Sequence, residues 1–169
     1  MITLGIETSC DDTSICLLKT NNNSNETPEV LSHISFSQES ILREWGGVVP
    51  EIAARNHLAK ITPLMKYAFE KANINPNEIE QIGVTTHPGL LGPLLTGVNA
   101  AKSLSLLYRT PINPVNHLFA HLEAIHLSEN ISYPYIGLLF SGGHSLFAIV
   151  DSPTSFKVIA STKDDAAGE

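Results

Sequence analysis

The sequence predicts an α/β protein, on two observations. Apolar strands alternate with segments of helical periodicity along most of the chain, and one hairpin pattern occurs twice. The two hairpins are "LGIETSCDDTSICLL" near the start and "IGLLFSGGHSLFAIV" near the end. Each is an apolar strand, a small polar turn and a second apolar strand. Two organisations fit this order. In one, two lobes of the same topology each open with a hairpin, and both turns face a ligand held between the lobes. In the other, a single mixed sheet ends in an ordinary C-terminal meander.

Ile2 to Glu7 reads as the first strand and Thr13 to Lys19 as the second, with "TSCDD" between them. "NNNSNETPE" is a turn-rich connection to a third strand from Val30 to Phe36. The glycine loop "REWGGVVPE" leads into a helix that Pro50 can open. Ile61, Leu64, Met65, Ala68 and Phe69 recur at helical spacing up to Ala72, but Pro63 predicts a kink or two abutting helices. "QIGVTT" is a fourth strand. "HPGLLGP" opens a second helix with Leu94, Leu95, Val98, Ala101 and Leu104 along one side. "TPINPV" is a short fifth strand before a helix from about His117 to Ser128. Strands at 135–141, 145–150 and 156–161 complete the order.

The chain has 169 residues, enough for one sizeable core or two small lobes, with 43% hydrophobic and 16% charged residues. No window reaches the roughly 18 uninterrupted apolar residues of a membrane-spanning helix. "MITLGIETS" lacks the basic segment and cleavage site of a signal peptide and reads directly as a strand. Cys10 and Cys16 make no disulfide framework, so a reduced, cytoplasmic protein is expected, and the sequons at Asn22, Asn25 and Asn130 read as chance. A formal charge of −7 gives no overall basic footprint, so any contact with RNA runs through a local patch or a partner.

Four stretches carry candidate chemistry. In "NHLFAH", His117 and His121 are spaced i, i+4 and share one helix face, from which both imidazoles can reach one cation. A hydrogen-bonded packing pair is the plainer reading. His126 falls on the opposite side, and Leu118 stands where a zinc protease needs its general base. In "SGGH", Gly142 and Gly143 bare the backbone toward an anion and Ser141 adds a hydroxyl, though a plain turn has the same pattern. In "ETSCDDTS", Glu7, Asp11 and Asp12 crowd beside hydroxyls, as a solvated turn or as a group that orients an ammonium, a hydroxyl or a hydrated metal. "THPGLLGPLLTG" permits close backbone approach at a helix N-terminus, for an anion or for helix–strand packing, without the spacing of a P-loop.

Taken in order, "LGIETSCDDTS", "GGVVPEIAARNH", "HPGLLGPLLTG", "NHLFAH", "LLFSGGHS" and "DDAAGE" resemble the TsaD family of tRNA threonylcarbamoyladenosine transferases, from residue 2 to residue 169. The resemblance implies the actin-like ATPase fold shared with sugar kinases and Hsp70, with a first lobe at 1–130 and the opening strands of a second lobe at 131–169. It implies transfer of threonylcarbamoyl from threonylcarbamoyl-AMP to the adenosine beside the anticodon, in tRNAs reading codons that begin with A. His117 and His121 would be ligands of one divalent metal, iron or zinc. Leu139, Phe140, Ser141, Gly142 and Gly143 would bind the nucleotide, ATP or threonylcarbamoyl-AMP. Ser9 would line the cleft, and Asp11 and Asp12 would serve catalysis beside the threonyl and carbamoyl groups. The implied partners are tRNA, a related actin-like subunit and the small ATPase of the same pathway, with no membrane.

The chain departs from the family pattern at Asn113, Asn116, His87, Phe140 and Asp12, of which Phe140 bears on the nucleotide pocket. Family members are also considerably longer, with a further Asp ligand near their C-terminus. These points predict a fragment, inactive alone, whose strands 135–161 expose apolar faces and self-associate. A non-catalytic actin-like scaffold is the alternative. A peptidase is disfavoured by Leu118.

Overall fold

In a computed structural model, residues 1–21, 27–141 and 145–164 are described. The chain divides into two compact units, Met1–His117 and Leu118–Glu169.

The first unit is built on β1 (Ile2–Glu7), β2 (Asp12–Lys19), β3 (Glu29–Ser37), β4 (Gln81–His87) and β5 (Ile112–Asn116). They form one sheet in the order β3-β2-β1-β4-β5. β1, β2 and β3 pair antiparallel, whereas β1–β4 and β4–β5 are parallel. A short helix, α1 (Glu39–Leu42), precedes the long helix α2 (Pro50–Ala72), and α3 (Leu91–Tyr108) links β4 to β5. Both parallel pairs therefore arise through helical crossovers, as parallel neighbours require.

Strand alternation fills the core. Leu4 and Ile6 of β1, Ile15 and Leu17 of β2, and Ile82 and Val84 of β4 turn inward, against Ile61, Ala68 and Phe69 of α2 and Ala101 of α3. The predicted elements hold here, with two corrections. α2 is one uninterrupted helix rather than two abutting ones, although Pro63 lies inside it. A proline forfeits a single helical hydrogen bond, and the buried residues on both sides of it keep the helix on the sheet. Leu95, expected on the apolar side of α3, is 48% exposed, because Leu94 takes the inward position.

α4 (His117–Glu123) starts at the last residue of the first unit and otherwise belongs to the second, tightening into a 3-10 turn at Ala124–Leu127 instead of running on to Ser128. Its sheet is an antiparallel meander of β6 (Tyr135–Phe140), β7 (Ser145–Ser152) and β8 (Ser155–Ser161). Leu139, Leu146, Ala148 and Val150 pack with Leu118, Phe119 and Leu122 of α4, and Phe119 stacks on Phe156 at 5.1 Å. Tyr133 and Tyr135 donate hydrogen bonds to Glu123 at 2.6 and 2.9 Å and tie the helix to the sheet. Register places Leu138 opposite Phe147 and Ile136 opposite Ile149 on the other face. That face is bare: Ile136, Leu138, Phe140 and Phe147 are all exposed, Ile136 to 71%. Among the described residues, no helix is long and apolar enough to cross a membrane.

Candidate functional site

The parallel pairing of β1, β4 and β5 brings three carboxyl ends to one edge of the sheet. Open α/β sheets hold their ligands at such an edge. Glu7 ends β1, Thr85 lies near the end of β4, and His117 directly follows β5. The three side chains meet. Thr85 Oγ1 donates to Glu7 Oε2 at 2.5 Å, and His117 Nδ1 lies 3.1 Å from the same oxygen. The Ser9 backbone N–H donates to Oε1 of Glu7, and Ser9 Oγ is 3.1 Å from His117 Nδ1. Burial alone would raise the Glu7 carboxyl, but the hydrogen bonds from His117, Ser9 and Thr85 outweigh it and bring the group down to about 2.

The turn carrying Ser9, Asp11 and Asp12 is gripped from three sides. Leu90 N–H donates to the Ser9 carbonyl at 2.8 Å. At Gly89 a Cβ would sit 2.6 Å from that same carbonyl oxygen, so only glycine lets the two backbones approach this closely. Thr8 Oγ1 donates to the Pro93 carbonyl at 2.8 Å, and Gly97 of α3 leaves room for that hydroxyl. From α2, the fully buried His57 spans the turn: Nδ1 is 2.7 Å from Thr13 Oγ1 and Nε2 is 3.1 Å from the Cys10 carbonyl. Because a carbonyl only accepts, Nε2 carries the proton and Nδ1 accepts from Thr13. Close packing thus accounts for the glycines of "THPGLLGPLLTG". Cys10 and Cys16 are both free thiols. Burial, with Asp11, Asp12 and Glu7 adding to it, pushes the Cys10 thiol up to about 11, so it stays protonated at neutral pH.

Among the residues singled out from the sequence, Ser9 is buried, Asp11 half-buried and Asp12 exposed. His117 is half-buried in the first unit, and His121 is an exposed residue of α4. Leu139 lies in the core of the second unit and Phe140 on its bare face, at 59% exposure. Ser141 is half-buried, and Gly142 and Gly143 lie outside the described residues. Glu7 appeared in the sequence as one of several crowded carboxylates and His57 as the last residue of "GGVVPEIAARNH" with no role assigned, while Thr85 gave no local signal. Glu7 is 78 residues from Thr85 and 110 from His117, so only the sheet topology joins them.

The TsaD family model, described as tRNA N6-adenosine threonylcarbamoyltransferase, matches residues 29–169. The chain belongs to the TsaD family. A relative of that name from Staphylococcus haemolyticus is 45% identical over 98% of this chain, and one from Bacillus subtilis is 44% identical over all of it. The chain spans about half the length of these curated relatives, 47% of each. Among solved structures, YeaZ from Pseudomonas aeruginosa superposes with a TM-score of 0.57 at 10% identity, over 95% of this chain and 66% of its own. That likeness is one of fold, and it agrees with the actin-like class that the TsaD motifs implied.

Proposed function

We propose that this chain supplies the first lobe, 1–130, and the opening strands of the second, 131–169, of a cytoplasmic enzyme that passes threonylcarbamoyl from threonylcarbamoyl-AMP to tRNA. The acceptor is the adenosine beside the anticodon in tRNAs reading codons that begin with A. Its exocyclic amine attacks the carbamoyl carbon, the bond from that carbon to the phosphate oxygen breaks, and AMP leaves. The observation that carries this reading is the TsaD match together with His117 set on the Glu7–Ser9–Thr85 cluster at the strand ends.

A pair of imidazoles favours a divalent iron or zinc, although among the described residues no three His, Cys, Asp or Glu side chains gather to hold an ion. α4 carries two imidazoles one helical turn apart, and a carboxylate orients the first of them. Held by His117 and His121, such an ion would supply Lewis-acid polarisation of the carbamoyl and phosphate oxygens. Ser9 would donate to the substrate, while Asp11 and Asp12 would orient the threonyl group and accept the proton released by the attacking amine. Leu139 to Gly143 would bring their backbone to the phosphate of ATP or threonylcarbamoyl-AMP. tRNA, a related actin-like subunit and a small ATPase are the expected partners.

The bare apolar face of β6–β8 favours a second reading, a non-catalytic actin-like binding subunit. A chimera separates the two. Residues 1–169 should replace the matching half of the Bacillus subtilis relative and transfer labelled threonylcarbamoyl to tRNA, whereas the 169-residue chain alone should not. An inactive chimera beside an active parent would reject the catalytic reading.

A further inference from the structure

We infer that Glu7 is a positioning residue that fixes the tautomer of His117, holding the proton on Nδ1 and the ring lone pair on Nε2. The inference rests on the metal reading for its purpose but not for its evidence. Two neighbours donate to this one carboxylate, the Ser9 N–H to Oε1 and the Thr85 hydroxyl to Oε2, and His117 Nδ1 lies 3.1 Å from Oε2. Glu7 offers only lone pairs to them once ionised. Its side chain is 30% exposed and that of His117 is 23% exposed, so both are partly shielded from solvent.

Two arrangements of the imidazole need weighing. With a bare Nδ1, the ring lone pair would face a carboxylate oxygen at 3.1 Å, and Ser9 Oγ would have to turn its proton toward it. With a protonated Nδ1, the same N–H is shared between Glu7 Oε2 and Ser9 Oγ, and both contacts become attractive. Because Glu7 already accepts from the Ser9 N–H and the Thr85 hydroxyl, it presents acceptor oxygens to the ring, which favours the second arrangement. Metal-bound histidines characteristically donate their other N–H to a carboxylate in this way, which orients the ring and raises its basicity. Thr85 completes the device by pinning the shared oxygen of Glu7 from the neighbouring strand.

His57 is the internal reference. Its Nε2 faces the Cys10 carbonyl, so it must show the opposite tautomer in the same molecule.

The test is a long-range proton–nitrogen correlation spectrum of the imidazoles in the chain without added metal, at a pH where both rings are neutral. The Nδ1–H pattern is expected for His117 and the Nε2–H pattern for His57. An Nε2–H pattern at His117 overturns the inference whatever the metal does. Glu7→Gln should mix the two tautomers of His117 and leave His57 unchanged. If that variant fails to fold, Thr85→Val, which frees the shared oxygen without removing the charge, should leave His117 predominantly Nδ1–H. Zinc titration by chelator competition then reads the consequence, with a loss of roughly ten-fold or more expected for Glu7→Gln. Failure of the unaltered Bacillus subtilis chimera, which supplies the rest of the family's length, to bind zinc would reject the metal reading, while the tautomer spectrum would still decide the role of Glu7.

Discussion

Replacing His57 by phenylalanine isolates the polar work of a buried ring. Phenylalanine fills nearly the same space, so no large cavity opens, but it offers nothing to the Thr13 hydroxyl or the Cys10 carbonyl. Thr13 is wholly buried, and its orphaned hydroxyl costs about 1–3 kcal/mol. The Cys10 carbonyl lies in a part-buried contact and sits at the lower end of that range. The sum is about 3 kcal/mol. With a urea dependence of about 1–3 kcal/mol per molar, the midpoint should fall by roughly 1.5 M. The assay is urea unfolding followed by far-UV circular dichroism, and only the transition of the Met1–His117 unit should move. Adding Thr13→Val to His57→Phe should recover about 1 kcal/mol, since the orphaned hydroxyl goes with it. A His57→Phe midpoint within about 0.2 M of the parent, or a double variant weaker than the single one, would refute the assignment of His57 as the clamp on the turn.

Glu7 titrates near 2 in the folded chain, below its ordinary 4.5. Its contribution is therefore present above about pH 5 and lost as the pH falls toward 2, for a total of about 2 kcal/mol after allowing for its partial exposure. Glu7→Gln should flatten that limb of a pH–stability curve, and an unchanged slope would count against the cluster. Gly89→Ala would drive a methyl group into the Ser9 backbone, so it should destabilise the first unit by about 1–3 kcal/mol in the same urea assay. Leu138→Thr with Phe140→Ser should lower self-association in sedimentation velocity without loss of stability, because both side chains are on the bare face. Unchanged sedimentation would place any association surface elsewhere.

The strands were readable because alternation is a local property. Leu4, Ile6, Ile15 and Leu17 declare their buried face within a few residues, and the structure buries all four. Helix faces were harder. Leu94 and Leu95 are adjacent and equally apolar, and only the packing of α3 decides which one turns inward. Pro63 carried a local signal that the tertiary contacts of α2 overrode. The site followed the same division. "NHLFAH" and "TSCDD" stood out by spacing and crowding, whereas Thr85 looks like an ordinary strand residue and His57, the end of "GGVVPEIAARNH", carries no mark of what it binds. Their roles come from partners on other elements, which no window of the sequence contains.

The meeting of Glu7, Thr85 and His117 also bears on how the parallel strands find their alignment. Apolar alternation repeats every two residues, so β4 could slide by two positions along β1 and still bury the same face. Such a slide moves the strand by roughly 6.6 Å and parts Glu7 from Thr85. The Glu7 carboxylate would then keep the Ser9 N–H but lose the Thr85 hydroxyl, at a cost that no apolar contact restores. The core sets which face of each strand turns inward, and the polar cluster selects one register from those the core accepts.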